Sequence, residues 1–231
     1  MRELSSAPRL GVSPGRGPRR GGRRAARGAA VADYAATLAG PAILVGHDAG
    51  ALVALAAAAR HPPSAVVLLA PTPPGGHGVR LLVLSARSLV ALLAGRPVPP
   101  PEGRAAAGWL DLPGPLAAGV RRAFGSEDAQ SVRDVVWGRF RPALPAGVPV
   151  LVVSGEDDRT LTPRDAATLA RALGAEQRVL PGTGHWPLAG ARWQDMVALV
   201  HRWVVQRLGE PLLDLYAEAL AEREAEDDGD D

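Results

Sequence analysis

A chain of 231 residues, 47% of them hydrophobic, is long enough for one domain with a sizeable core and a small insertion. It has no Cys, and its five His include no His-x-x-x-His pair, so disulfides, thiolate ligands and a Cys nucleophile are excluded and no metal or other cofactor is expected. The formal net charge of +2 hides an asymmetry: the first thirty residues carry eight Arg and one acidic residue, the last twenty-two carry ten acidic residues and one Arg.

Residues 1–30 mix Gly, Pro and Arg without an apolar period, as in Gly15-Arg16-Gly17-Pro18-Arg19-Arg20-Gly21, and read as an irregular tail. The arginines are not interleaved with aromatics or gathered on one helix face, so no nucleic-acid partner is expected. No apolar h-region follows them and no apolar run reaches the roughly 18 residues of a membrane span. Export and a membrane partner are therefore not expected, and a cytoplasmic location is.

From Val31 to Leu38 the apolar residues fall at helical spacing, and Gly40-Pro41 ends that helix. Ala42 to Val45 reads as a buried strand. Ala49 to Arg60 is almost wholly apolar and reads as a helix packed against a sheet, stopped by His61-Pro62-Pro63. Ala65 to Ala70 is a second apolar strand, which completes a right-handed βαβ unit. Pro71 to Pro145 shows no strand pattern. Val79 to Ala94, Ala117 to Phe124 and Ala129 to Phe140 read as helices, and Pro97 to Pro101 as a stiff linker. Val148 to Ser154 returns to a buried strand, and Pro163 to Leu173 is a helix capped by Thr162 and Gly174. Glu176 to Leu180 is a further strand, and Arg192 to Leu208 a long amphipathic helix. The predicted fold is α/β, a mostly parallel doubly wound sheet with a helical lid insertion. Its parts are a tail (1–30), a core (31–74 and 146–209), the lid (75–145) and an acidic C-terminal tail (210–231).

Three polar clusters follow predicted strands: Gly46-His47-Asp48-Ala49-Gly50, Gly155-Glu156-Asp157-Asp158-Arg159 and Gly182-Thr183-Gly184-His185-Trp186. In open parallel sheets, ligands collect at the carboxyl ends of strands. Gly-x-x-x-Gly between a strand and a helix is a nucleophile-elbow pattern, and nucleophile, acid, His is a recurrent triad order. In an elbow the turn is so tight that both flanking positions should tolerate almost no side chain.

With these loops in this order, the chain resembles the α/β-hydrolase fold superfamily over about residues 31 to 208. Gly46-His47-Asp48-Ala49-Gly50 is similar to the elbow of its Asp-nucleophile members, the haloalkane and fluoroacetate dehalogenases and the epoxide hydrolases. The resemblance implies that Asp48 attacks a small apolar substrate of halide or epoxide type, forming an alkyl-enzyme ester. His185 would activate water against that ester, held by Asp158; Asp158 fits the family spacing Gly-x-x-Asp better than Asp157. Amides at the start of the following helix would keep Asp48 ionised, with the Ala49 N–H as an oxyanion donor. Gly46, His47 and Gly50 complete the elbow, and Trp109, Trp137 and Trp186 are candidate pocket residues.

Each residue also has a plainer role. Asp48 suits a helix cap, His185 a hydrogen-bonded loop, His47 structural support, Arg159 a loop-bracing charge, and Trp109 and Trp137 the packing of the insertion. Members of the superfamily carry two or three strands before the elbow and a His-Gly loop that supplies a second oxyanion donor. Residues 1–42 show neither, so the sheet is expected to lack one edge and the chain to be N-terminally incomplete. The lid tyrosines of epoxide hydrolases have no counterpart either, since the only tyrosines are Tyr34 and Tyr216. A degenerate, non-catalytic member of the fold is the alternative reading.

Overall fold

The computed structural model describes residues 22–73, 86–100, 112, 114–123, 125–139, 141–143 and 147–209. In chain order these form α1 (Gly22–Ala35), β1 (Ile43–His47), α2 (Ala49–Ala58), β2 (Ala65–Leu69), α3 (Ala86–Leu93), α4 (Gly114–Ala123) and α5 (Ala129–Val136). Then come β3 (Val150–Gly155), α6 (Pro163–Leu173), β4 (Glu176–Leu180) and α7 (193–209).

The four strands pair in parallel in the order β1-β2-β3-β4. β2 and β3 are buried along their whole length, as unbroken Val/Leu runs in the middle of a parallel sheet should be. Their side chains alternate between two layers. Val66, Leu68, Val150 and Val152 meet Ala51, Ala54, Leu55 and Ala58 of α2 and Ala166 and Ala170 of α6. Ala65, Val67, Leu69, Leu151 and Val153 meet Met196, Trp203 and Leu208 of α7 on the other face. Sequential parallel strands joined by right-handed crossovers put α2 and α6 on the same side. Each fully buried Leu or Val contributes on the order of 2 kcal/mol. Among the described residues no strand pairs with the outer side of β1, and Val45 is 56% exposed there.

Helix α1 differs from expectation. It starts at Gly22, so residues 22–30 are helical although their Gly/Arg composition reads as tail. Ala and Arg are good helix formers, and Gly28, Ala32 and Ala35 make a flat face that lies on α2. A Cβ at Gly28 would stand 2.8 Å from the Ala56 Cβ. Arg24 is buried, with its guanidinium 2.7 Å from Glu127, between β2 and β3, and its Nε donating to the Ser131 carbonyl. Residues 1–21 and 210–231, with both charged ends, lie outside the described residues.

Among the described residues, the segment between β2 and β3 holds helices in the three expected places; residues 79–85 of the expected Val79–Ala94 helix, and residue 124, lie outside the described residues. α5 stops at Val136, where Trp137 is the C-cap and Gly138 turns with φ 61°, not at Phe140. Asp128 caps its start by accepting from Ser131 N at 3.0 Å. Val98 and Glu127 exchange backbone hydrogen bonds of 2.7 and 2.8 Å, an antiparallel bridge within the stretch predicted as a stiff linker. Arg133 donates to the carbonyls of Leu92 and Leu93, tying α5 to the end of α3. The predicted caps of α6 are present: Thr162 and Asp165 form a reciprocal capping box and Gly174 adopts φ 62°. Among the described residues no helix is long and apolar enough to cross a membrane.

Candidate active site

Asp48 is the single residue between β1 and α2, and its backbone takes φ 49°, ψ −123°. An L-residue seldom holds that conformation, and it persists only where neighbours over-determine it. They do so here. Asp48 N donates to the Leu69 carbonyl at 3.1 Å, while the Asp48 carbonyl accepts from Ala51 N at 3.1 Å and from Thr72 N at 3.0 Å. Gly46 is required: a Cβ there would fall 2.6 Å from the Ala51 Cα and 2.7 Å from the Gly50 carbonyl oxygen. Gly50 is not, because a Cβ there meets nothing within 4 Å. The expectation that both flanking positions exclude a side chain therefore holds for one of the two.

The Asp48 side chain is not turned to the amides of α2, with which it makes no cap hydrogen bond. Its Oδ1 instead accepts from the Thr72 hydroxyl at 2.5 Å and lies 3.8 Å from His185 Nε2. Thr72 belongs to no motif, so sequence reasoning does not single it out. The available signal is positional: it is a hydroxyl residue just past the carboxyl end of the strand that neighbours the elbow. Ala70, at φ 41°, turns the chain there.

His185 and Asp158 come from the loops after β4 and β3. His185 Nδ1 is 3.0 Å from Asp158 Oδ2, and the Asp158 Oδ1 accepts from Thr160 N at 2.7 Å and Leu161 N at 2.9 Å. With one oxygen committed to backbone amides, the carboxylate can only accept from the other, which assigns the imidazole N–H to Nδ1 and leaves Nε2 facing Asp48. The side chains of Asp158 and His185 are buried, whereas that of Asp48 is 27% exposed and is the member of the group that solvent reaches. Asp157 is exposed and uses its backbone N–H on the Thr183 carbonyl, so Asp158 is the acid beside His185. The two loops are in direct contact. A Cβ on Gly155 would lie 2.1 Å from the Thr183 carbonyl oxygen, so only glycine allows this approach.

His47 braces the site from behind. Its Nε2 donates to the His185 carbonyl at 2.8 Å, and its ring centroid is 5.3 Å from that of His185 and 4.7 Å from that of Trp186. Burial pushes its pKa below the ordinary 6.5, opposed by the bond to the His185 carbonyl and by the charge of Asp48. Trp186 is therefore placed against His47. Trp137 is 47% exposed, with the guanidinium groups of Arg139 and Arg133 at 4.9 and 5.8 Å from its ring, and is not core of the insertion. Trp109 lies outside the described residues. Arg159 is exposed. No group of three His, Cys, Asp or Glu able to hold a metal occurs among the described residues. A cavity of about 630 Å³ opens at the opposite end of the sheet, between Pro149, Leu173, Glu176 and Trp203, and includes none of these residues.

Solved structures share this fold. An esterase from Thermogutta terrifontis, with malate bound, aligns with a TM-score of 0.60 at 21% identity over 85% of this chain and 75% of that one. A monoacylglycerol lipase from Paleococcus ferrophilus aligns at 0.58, with 17% identity over 78% of this chain and 74% of that one. MenH from S. aureus gives 0.54, with 16% identity over 78% and 74%. At such identities the likeness establishes the fold alone. No curated protein sequence matches the chain significantly. The sequence model of the alpha/beta hydrolase family matches residues 7–199, from ahead of α1 into α7, and the protein belongs to that family.

Proposed function

We propose that this hydrolase works through Asp48 as nucleophile, on a small apolar substrate carrying a displaceable halide. One observation carries the reading: a carboxylate, not a hydroxyl, occupies the strained elbow, with His185 Nε2 at 3.8 Å and Asp158 3.0 Å behind the imidazole. A carboxylate needs no base before it attacks. Its Oδ2 displaces halide from an sp³ carbon, and the halide leaves with the bonding pair. Water then adds to the Asp48 Cγ and gives a proton to His185 Nε2, while the charge on the imidazolium is balanced by Asp158. Collapse breaks the Cγ–Oδ2 bond, the departing alkoxide takes the proton from His185, and Asp48 loses its remaining proton to solvent.

A halide departs without a proton, whereas an epoxide oxygen needs a donor. Tyr34, on α1, is 65% exposed, which favours the halide over the epoxide. An acyl ester is a poor fit to the same step, because carboxylate attack on it would form a mixed anhydride. The retained His185–Asp158 pair nevertheless favours one second reading, in which His185 activates water directly against an ester.

Single turnover in ¹⁸O-water separates these readings, using 1-bromobutane, bromoacetate, styrene oxide and p-nitrophenyl butyrate. The Asp48 route puts label into the Asp48 carboxylate and none into the alcohol. Butyrate release without label in Asp48 would replace it by the direct-water reading, and no turnover of any substrate would indicate a non-catalytic member of the family.

A further inference from the structure

The proposed ester must be hydrolysed through an oxyanion, and the Asp48 side chain makes no hydrogen bond to the start of α2. Among the described residues, the hydrogen-bond donor set on this carboxylate is the Thr72 hydroxyl, 2.5 Å from Oδ1. We propose that Thr72 is a catalytic residue that donates to the oxyanion formed on Asp48 Oδ1 during hydrolysis of the ester; this rests on the nucleophile reading above.

The geometry links the two steps. Because Oδ1 is engaged by Thr72, Oδ2 is the oxygen presented to the substrate. Once Oδ2 carries the alkyl group, Oδ1 is the ester carbonyl oxygen. Water adds to Cγ, its proton passes to His185, and the π electrons of the carbonyl move onto Oδ1. A hydroxyl already directed at Oδ1 gains strength as that charge develops, which is the differential binding that accelerates a step. The donor is also held in place. Thr72 is 8% exposed and lies between Pro71 and Pro73, whose rings fix their own φ angles. Its backbone N–H is bonded to the Asp48 carbonyl at 3.0 Å, so the hydroxyl and the carboxylate move as one unit.

Rapid-quench mass spectrometry of single turnovers with 1-bromobutane or bromoacetate tests this. Thr72→Val keeps the shape and the backbone N–H and removes only the hydroxyl; Thr72→Ala serves the same comparison should the valine variant not fold. In either variant the ester on Asp48 forms as in the parent, but its hydrolysis slows by about 10²–10³-fold, so the ester accumulates. Thr72→Ser restores hydrolysis to near the parent rate. A merely structural role would slow both steps together. Ester hydrolysis at the parent rate in Thr72→Val, equal slowing of both steps, or failure of Thr72→Ser to restore it would each overturn the proposal while leaving Asp48 as nucleophile. Absence of any ester in the parent overturns the nucleophile reading and this one with it.

Discussion

Asp48 and Gly46 carry opposite kinds of demand at the same turn. Asp48 is held in a left-handed conformation that costs on the order of 1–3 kcal/mol, and the cost is met by its three backbone hydrogen bonds. Gly46 supplies the space in which that turn closes. Ala at position 46 must push Ala51 backbone atoms aside and is expected to lower stability by roughly 2–3 kcal/mol in urea denaturation. Ala at position 50 enters open space on the first turn of α2 and should be neutral or stabilising by up to about 1 kcal/mol. Equal destabilisation by the two would show that the elbow is not packed this way. The chemistry separates by residue in the same manner. Asp48→Asn removes the anionic oxygen, and no ester should be detected. His185→Gln leaves the attack intact and removes the base, so the ester should form and persist, with turnover reduced by about 10³-fold or more. Ester hydrolysis at the parent rate in His185→Gln would exclude His185 as the base.

At the scale of elements, legibility followed how much of an element is set by its own residues. β2, β3 and α2 are unbroken apolar runs, and α6 carries its caps in its sequence, so all four are where the pattern puts them. Helix α1 is different. Its part from Val31 on is expected as helix and is present, but helix over residues 22–30 is not expected: there the buried positions are Arg24 and Gly28 among further arginines, and α2 lies against that side. Composition sees the arginines and not the partner. The Val98–Glu127 bridge and the Thr72–Asp48 contact are likewise invisible from sequence, because each joins residues 24 or more positions apart with no motif at either end. If α1 depends on that fit, Gly28→Leu should lift it from α2 without disturbing the sheet. Amide hydrogen exchange would then show lost protection across α1 and unchanged protection in β2 and β3. Loss of protection in all of them together would mean that α1 is part of the same cooperative unit.

Across the whole molecule, two ionisable groups fasten opposite ends of the sheet, and they respond to acid in different windows. At the carboxyl end, half-buried His47 supports the His185 loop as a neutral donor, facing Asp48, His185 and Asp158. Its folded pKa lies below 6.5, so the unfolded chain takes up the proton first as pH falls. Its contribution is complete above about pH 6.5 and is lost as pH drops from there through the folded value. At the amino end, Glu176 opens β4 and accepts from Trp203 Nε1 at 3.0 Å and Arg207 Nε at 2.8 Å on α7, with Arg178 beside it at 2.9 Å. The Arg207 hydrogen bond, ahead of the bond from Trp203, holds its pKa below the ordinary 4.5. That contribution is present above about pH 4.5 and is lost as pH falls through the depressed folded value. The melting temperature should therefore be level from pH 8 to 7, begin to fall below about pH 6.5, and fall again below about pH 4.5. His47→Gln, which can still donate to the His185 carbonyl, should remove the first decline and leave the second. Glu176→Gln should lessen the second and leave the first, by about 1 kcal/mol or less because the group is partly exposed. A first decline that persists unchanged in His47→Gln would assign it to another group and leave His47 without a role in acid stability.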